Sequence, residues 1–107
     1  MDNESRSGKF SVGQIVWHER FNYRGVIFDV DPEFMLPDEW YDKVAKYEAS
    51  REQPWYKVLV DGTDQEAYVA EQHLCEMLEA EPIQHEAVDH IFDRFEDGKY
   101  LPGYQVH

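Results

Sequence analysis

The stretch Tyr23-Arg24-Gly25-Val26-Ile27-Phe28-Asp29-Val30-Asp31-Pro32 constrains this chain more than any other. It alternates at the strand period, which sets Val26, Phe28 and Val30 on one face and Ile27, Asp29 and Asp31 on the other. Gly25 predicts a tight bend or a close approach of a second backbone. Pro32 has no N–H to give to a ladder and so ends the strand. The run from Trp55 to Val60, after Pro54, is the best partner, and Glu66 to Ala70 follows beyond Asp61-Gly62, a strong turn signal. Strands this short need one another to bury an apolar face, so the expectation is a small twisted barrel.

The rest of the chain reads around that centre. Ile15 to His18 is a short first strand, and Asn22 suits the turn that leads into the central one. Residues 33–53 form a connection too long to lack structure of its own. Within it, Asp38 to about Glu48 predicts a helix, with Trp40, Val44 and Tyr47 at i, i+4 and i+7. Glu71-Gln72-His73 predicts a tight turn into a last short strand, Leu74 to Leu78. From Pro82 to Glu96, Val88, Ile91, Phe92 and Phe95 make an apolar stripe that predicts an amphipathic helix, closed by Gly98 as its left-handed cap. The expected organisation is a loose tail over 1–8, a barrel domain over 9–78, and an acidic C-terminal helix and tail over 79–107.

Charge is the most consequential total. The 107 residues carry a net charge of −13, from 10 basic and 23 acidic side chains. Eight of the basic residues but only 11 of the acidic ones lie in 1–60, leaving 2 and 12 for 61–107. The first part is therefore close to balanced, and the second repels phosphate backbones. There is no apolar run approaching the roughly 18 residues of a membrane span. The polar N-terminus does not read as a signal peptide. Cys75 is the only cysteine, which precludes an internal disulfide and suits a reducing, cytoplasmic setting.

Catalytic patterns are missing from the sequence. His18, His73, His85, His90 and His107 have no zinc-site spacing, and there is no nucleophile elbow, phosphate-binding glycine loop or dinucleotide fingerprint. The expectation is a protein that is not an enzyme and takes no metal and no cofactor. His18 and Asp31 are polar residues in predicted core strands, which suggests a buried network pairing His18 or Arg24 with Asp31. The aromatic residues Trp17, Phe21, Tyr23, Phe28, Trp40, Trp55, Tyr56 and Tyr68 suit either a core or a base-stacking platform. Such a platform also wants cations, and Arg20, Arg24 and Lys57 are the best candidates for nucleic-acid contact. That supply is thin beside the about six or more phosphate contacts ordinary for DNA binding.

The order Val12-Gly13-Gln14, Val16 and His18, then Tyr23-Arg24-Gly25-Val26-Ile27 with Asp31-Pro32, then Trp40, then Gln53-Pro54-Trp55-Tyr56 with Val58-Leu59-Val60-Asp61, then Tyr68-Val69-Ala70-Glu71 with Leu74, resembles the HspQ family. That family is also called YccV-like, or hemimethylated DNA-binding domain, and the resemblance spans about residues 9–78. It implies a mainly β fold: a small five-stranded SH3-like barrel with a helical excursion. It also implies a bacterial cytoplasmic heat-shock protein and two activities. One is preferential binding of hemimethylated DNA, tied to control of the replication initiator DnaA. The other is a role as specificity factor and substrate of the Lon protease.

Three readings follow. The first is a protein-binding adaptor in stress-linked proteolysis, with Trp40, Tyr41 and Tyr47 of the excursion, and the second helix, contacting Lon-type protease or client. The second is a DNA-binding module using Arg20, Arg24 and Lys57. The third is a structural homo-oligomer.

Overall fold

In the computed structural model, which describes residues 8–44 and 50–102, the chain is mainly β. It has strands β1 (Ile15–His18), β2 (Tyr23–Asp31), β3 (Trp55–Val60), β4 (Glu66–Ala70), β5 (Leu74–Glu76), β6 (Phe92–Glu96) and β7 (Lys99–Pro102). Two short helices, α1 (Asp38–Val44) and α2 (Val88–Ile91), and a 3-10 turn over Glu71–His73 complete the described elements. The first five strands form one antiparallel sheet in the order β4-β3-β2-β1-β5. The long strand is therefore the centre of the sheet, as its sequence predicts. Among the described residues the sheet is open, because its outer strands β4 and β5 share no ladder.

Gly25 sits where Leu59 of β3 crosses closest. A Cβ there would strike the Leu59 carbonyl oxygen and the Val58 side chain. Two residues further on, the β2–β3 register shifts between Ile27 and Asp29. This bulge corrects the simple alternation. Phe28 packs with Val26 on one face, and Val30 is carried round to join Ile27 on the other.

Both faces of the sheet are covered. On one, Ile15, Val26 and Leu59 pack against Ala80, Ile83, Val88, Phe92 and Tyr100. On the other, Val16, Ile27, Tyr56, Val58, Val69 and Leu74 close over Phe10. Fully burying side chains of this size contributes roughly 1.5–3 kcal/mol each. A third cluster sits at the end of the sheet. There Phe34 and Tyr41 of the excursion meet Trp55, Ala70 and Tyr68. Phe34 contacts Trp55 edge-on at 5.1 Å, and Trp55 stacks on Tyr68 at 5.4 Å. The Arg51 guanidinium lies 4.3 Å from the Tyr41 ring centre and pairs with Asp38, which holds the start of α1 against the sheet. The predicted helix is present as α1 to Val44, and its continuation, with Tyr47, lies outside the described residues.

The expected C-terminal amphipathic helix is the main correction. Only the single turn Val88–Ile91 is helical, and residues 92–102 form a hairpin. The cause is a second bulge, between Phe92 and Arg94. It places Phe92 and Phe95, three residues apart, on one side of a strand, where both pack on Tyr100 at 5.2 and 4.8 Å. A bulged strand thus imitates helical spacing. Asp97 and Gly98, at φ 53° and 82°, form the two-residue turn between β6 and β7 rather than a helix cap.

Candidate functional site

An open groove of about 700 Å³ runs along β4, and all five residues of that strand line it. Because β4 is a sheet edge, the groove has a wall from each side of the sheet. One wall is His18, Phe21, Tyr23 and His73, from the end of β1, the turn after it, the start of β2 and the 3-10 turn after β4. The other is Leu36, Trp40 and Lys43, from the excursion. Phe21 and Trp40 are 55% and 46% exposed, so both walls present large apolar faces to solvent.

The first wall is built by the turn after β1. Asn22 adopts φ 58°, and its side chain accepts a hydrogen bond from Trp17 Nε1 at 2.9 Å. The turn is tied to the 3-10 turn, where Glu19 N donates to the His73 carbonyl at 3.0 Å. His18 is 4% exposed, and its Nδ1 accepts from the backbone N–H groups of both Arg20 and Phe21 at 3.1 Å. Its ring stacks on Phe21 at 4.7 Å and on His73 at 5.6 Å. Burial first, and then the neighbouring His73, hold its pKa below the ordinary histidine value. Burial likewise lowers His73. Burial pushes the Tyr23 phenol up to about 12. This wall is therefore neutral and aromatic near pH 7.

The second wall carries Lys43, and Lys57 of β3 also lines the groove. Lys43 Nζ lies 5.0 Å from the Trp40 ring centre, and Lys57 Nζ lies 3.7 Å from Asp29. Tyr68 anchors the floor. Its hydroxyl donates to Asp31 at 2.6 Å and accepts from Met35 N at 3.2 Å, and burial followed by the Asp31 contact raises its pKa.

The residues singled out by sequence end in different places. His18, Trp40 and Lys57 line the groove. Arg20 is exposed in the β1–β2 turn. Tyr41 packs into the Phe34–Trp55 cluster instead of the groove. The network pairing His18 or Arg24 with Asp31 does not form. Asp31 is met by Tyr68, and Arg24 points to the opposite end of its strand. There Arg24 Nε donates to Asp61, and its two terminal nitrogens donate to the Glu81 and Pro82 carbonyls at 2.7 Å each. Arg24 is thus a fastener of the segment after β5. Sequence reading passed over Leu36, His73 and the outer edge of β4. The two histidines lie far apart in the chain, so no spacing could pair them.

Among the described residues there is no group of three or more histidine, cysteine or acidic side chains placed to hold a metal ion. No helix there is long and apolar enough to cross a membrane. A family model described as "Hemimethylated DNA-binding protein YccV like" matches residues 8–99. The match thus takes in the segment after β5 and α2, and reaches the β6–β7 hairpin.

Proposed function

The chain belongs to the YccV-like family, and from that premise we propose that it is a non-enzymatic binding protein whose groove receives polypeptide. In this reading it acts in the cytoplasm as a stress-response adaptor that adjusts what a Lon-type protease degrades, DnaA included. The observation that carries it is the groove beside β4: two exposed aromatic faces, a neutral histidine wall, and only two lysines, one of them paired with Asp29. Exposed apolar surface of this kind suits protein contact. The acidic total discourages long phosphate tracts. Trp40 stays a contact residue in this reading, and Tyr41 supports it from behind. We read the coiled five-stranded sheet as an incompletely closed relative of the SH3-like barrel.

Degradation of an unfolded client by a Lon-type protease tests the proposal. Addition of the protein changes the rate or the choice of client, and the doubly substituted Phe21→Ala, Trp40→Ala variant does not. An unchanged rate with the unmodified protein contradicts it.

A second reading is favoured by the family description itself, which names hemimethylated DNA. Its contacts would centre on the exposed β1–β2 turn, with Arg20 and Phe21. Recognition of one methylated strand needs an apolar contact to a methyl group in the major groove. A gel shift with unmethylated, hemimethylated and fully methylated duplexes at two salt concentrations tests it. Equal or absent binding near physiological salt overturns it.

A further inference from the structure

The groove inverts the charge balance of the chain. Over the whole sequence 23 acidic side chains outnumber 10 basic ones, yet the groove is lined by Lys43 and Lys57 against the single acid Glu66. Both lysines belong to the same side of the sheet. Lys57 lies opposite Tyr68 in the β3–β4 register, and cross-strand partners share a face. Tyr68 packs with Phe34 and Tyr41 of the excursion, the segment whose α1 carries Lys43. Tyr23 belongs to the core on the other side, with Val58 and Val69. The groove thus has a cationic side, which includes Trp40 and Leu36, and a neutral aromatic side, which includes Phe21 and the two histidines.

Both ammonium groups can still meet a carboxylate. Lys43 is exposed and lies 5.0 Å from the Trp40 ring centre, a contact that brings no carboxylate to it. Lys57 Nζ is 3.7 Å from Asp29, in a pair whose side chains are 38% and 50% exposed. Exposed pairs of this kind are weak, so Asp29 can share Lys57 with a second acid.

We propose that the groove selects an acidic, apolar polypeptide segment: its carboxylates meet Lys43 and Lys57, and its aliphatic or aromatic side chains cover the exposed faces of Phe21 and Trp40. The inference rests on the reading of the groove as a polypeptide site and names the composition that the site takes. Two lysines suit one or two carboxylates, whereas a nucleic acid offers a row of phosphates and ordinarily draws about six or more contacts. The net −13 repels an acidic partner at range. Near 0.15 M salt, however, exposed charges beyond about 8 Å are screened, and the lysines lining the groove decide the contact. A second copy would bring another net −13 in place of one short acidic stretch.

The test uses the full chain at about 0.15 M salt and an eight-residue blocked peptide alternating glutamate with leucine, with binding followed by amide chemical shifts. The controls alternate glutamine with leucine, lysine with leucine, and glutamate with serine. The glutamate–leucine peptide should bind best. The glutamine–leucine peptide should bind about fivefold or more weakly, and the glutamate–serine peptide more weakly still. The double variant Lys43→Gln, Lys57→Gln should lose the preference for glutamate over glutamine while keeping the residual binding of the glutamine–leucine peptide. Glu66→Gln, at an exposed position, removes the only acid of the lining and should tighten the glutamate–leucine peptide by about two- to fivefold. A gain of binding cannot come from misfolding.

Equal binding of the glutamate and glutamine peptides, or tighter binding of the lysine peptide, overturns the acidic occupant while leaving a polypeptide site standing. Absence of binding by every peptide overturns both the inference and the reading beneath it. Displacement of the bound peptide by a short single-stranded oligonucleotide of higher affinity assigns the lysines to phosphate and overturns the proposed occupant. A concentration-dependent dimer that shifts the same amides assigns the groove to a second copy and also overturns it.

Discussion

Arg24 Nε lies 2.9 Å from Asp61 Oδ2, and that pair joins the first residues of β2 to the turn after β3. Asp61 also accepts from Gln84 N at 2.6 Å, while Arg24 reaches the carbonyls of Glu81 and Pro82. One ion pair thus pins residues 81–84, the lead-in to the C-terminal hairpin. One of the three cations that sequence offers for nucleic-acid contact, Arg24, is thus occupied inside the fold.

Arg24→Ala should therefore cost stability before it costs any binding. Hydrogen bonds to charged groups are worth about 1.5–3 kcal/mol each when buried, and this pair is about one-quarter exposed, so a total loss of about 1–3 kcal/mol is expected. Arg24→Lys keeps the charge but not the three-way donation, and should recover less than half of it. Urea unfolding midpoints measure both. An Arg24→Ala protein of unchanged stability contradicts the assignment.

Gly25→Ala should be costly despite its small size. The added methyl meets the Leu59 carbonyl, which is part of the sheet backbone and cannot swing aside. The expected loss is about 1–3 kcal/mol, the range of overpacked cores. A neutral substitution would mean that β2 and β3 sit further apart than described.

The histidine wall gives a pH prediction. Burial depresses the folded pKa of His18 and His73 below that of the unfolded chain. Between the two values the unfolded state binds more protons, so stability is full above the unfolded value, about 6.5. It falls as pH drops from there toward the folded value. Protonation would also break both backbone bonds to His18 Nδ1. Ring nitrogen shifts across pH 4–8 measure this directly. His18 should titrate below 6.5, and a value at or above 6.5 contradicts a buried ring whose Nδ1 accepts from the backbone.

Much of the sheet was legible because its signals are local. Alternation marked β1 to β4, Asp61-Gly62 marked the turn after β3, and Gly25 announced the close approach of β3. What escaped was set by register. The bulges after Ile27 and after Phe92 each add a residue to one strand, which moves Val30 to the other face and gives Phe92 and Phe95 a helix-like spacing. The groove escaped for a related reason. Its walls come from the β1–β2 turn with its flanking strand ends, the 3-10 turn after β4 and the excursion, and they meet only because β4 ends the sheet. Arg24 was misread because its partners, Asp61 and the Glu81 and Pro82 carbonyls, carry no signature near it in sequence.

The β6–β7 hairpin yields a further test. Phe92 is 5% exposed and shares a core with Ile15, Val26 and Leu59. Phe92→Ala should therefore cost about 3–5 kcal/mol, as for buried aromatics generally. Thermal unfolding by circular dichroism should show one transition, displaced downward. A loss below about 1 kcal/mol, the scale of a surface change, would mean that the hairpin does not close the sheet's face.

The most direct measurement of the central claim sets the two partners side by side. Fluorescence anisotropy, at about 0.15 M salt where exposed charges are screened beyond roughly 8 Å, follows a labelled unfolded client and a labelled hemimethylated duplex with the same protein. The account predicts that the client binds, that Phe21→Ala with Trp40→Ala removes that binding, and that the duplex binds weakly without regard to methylation. Tight binding of the hemimethylated duplex, abolished by Arg20→Ala and untouched by the groove substitutions, would contradict it.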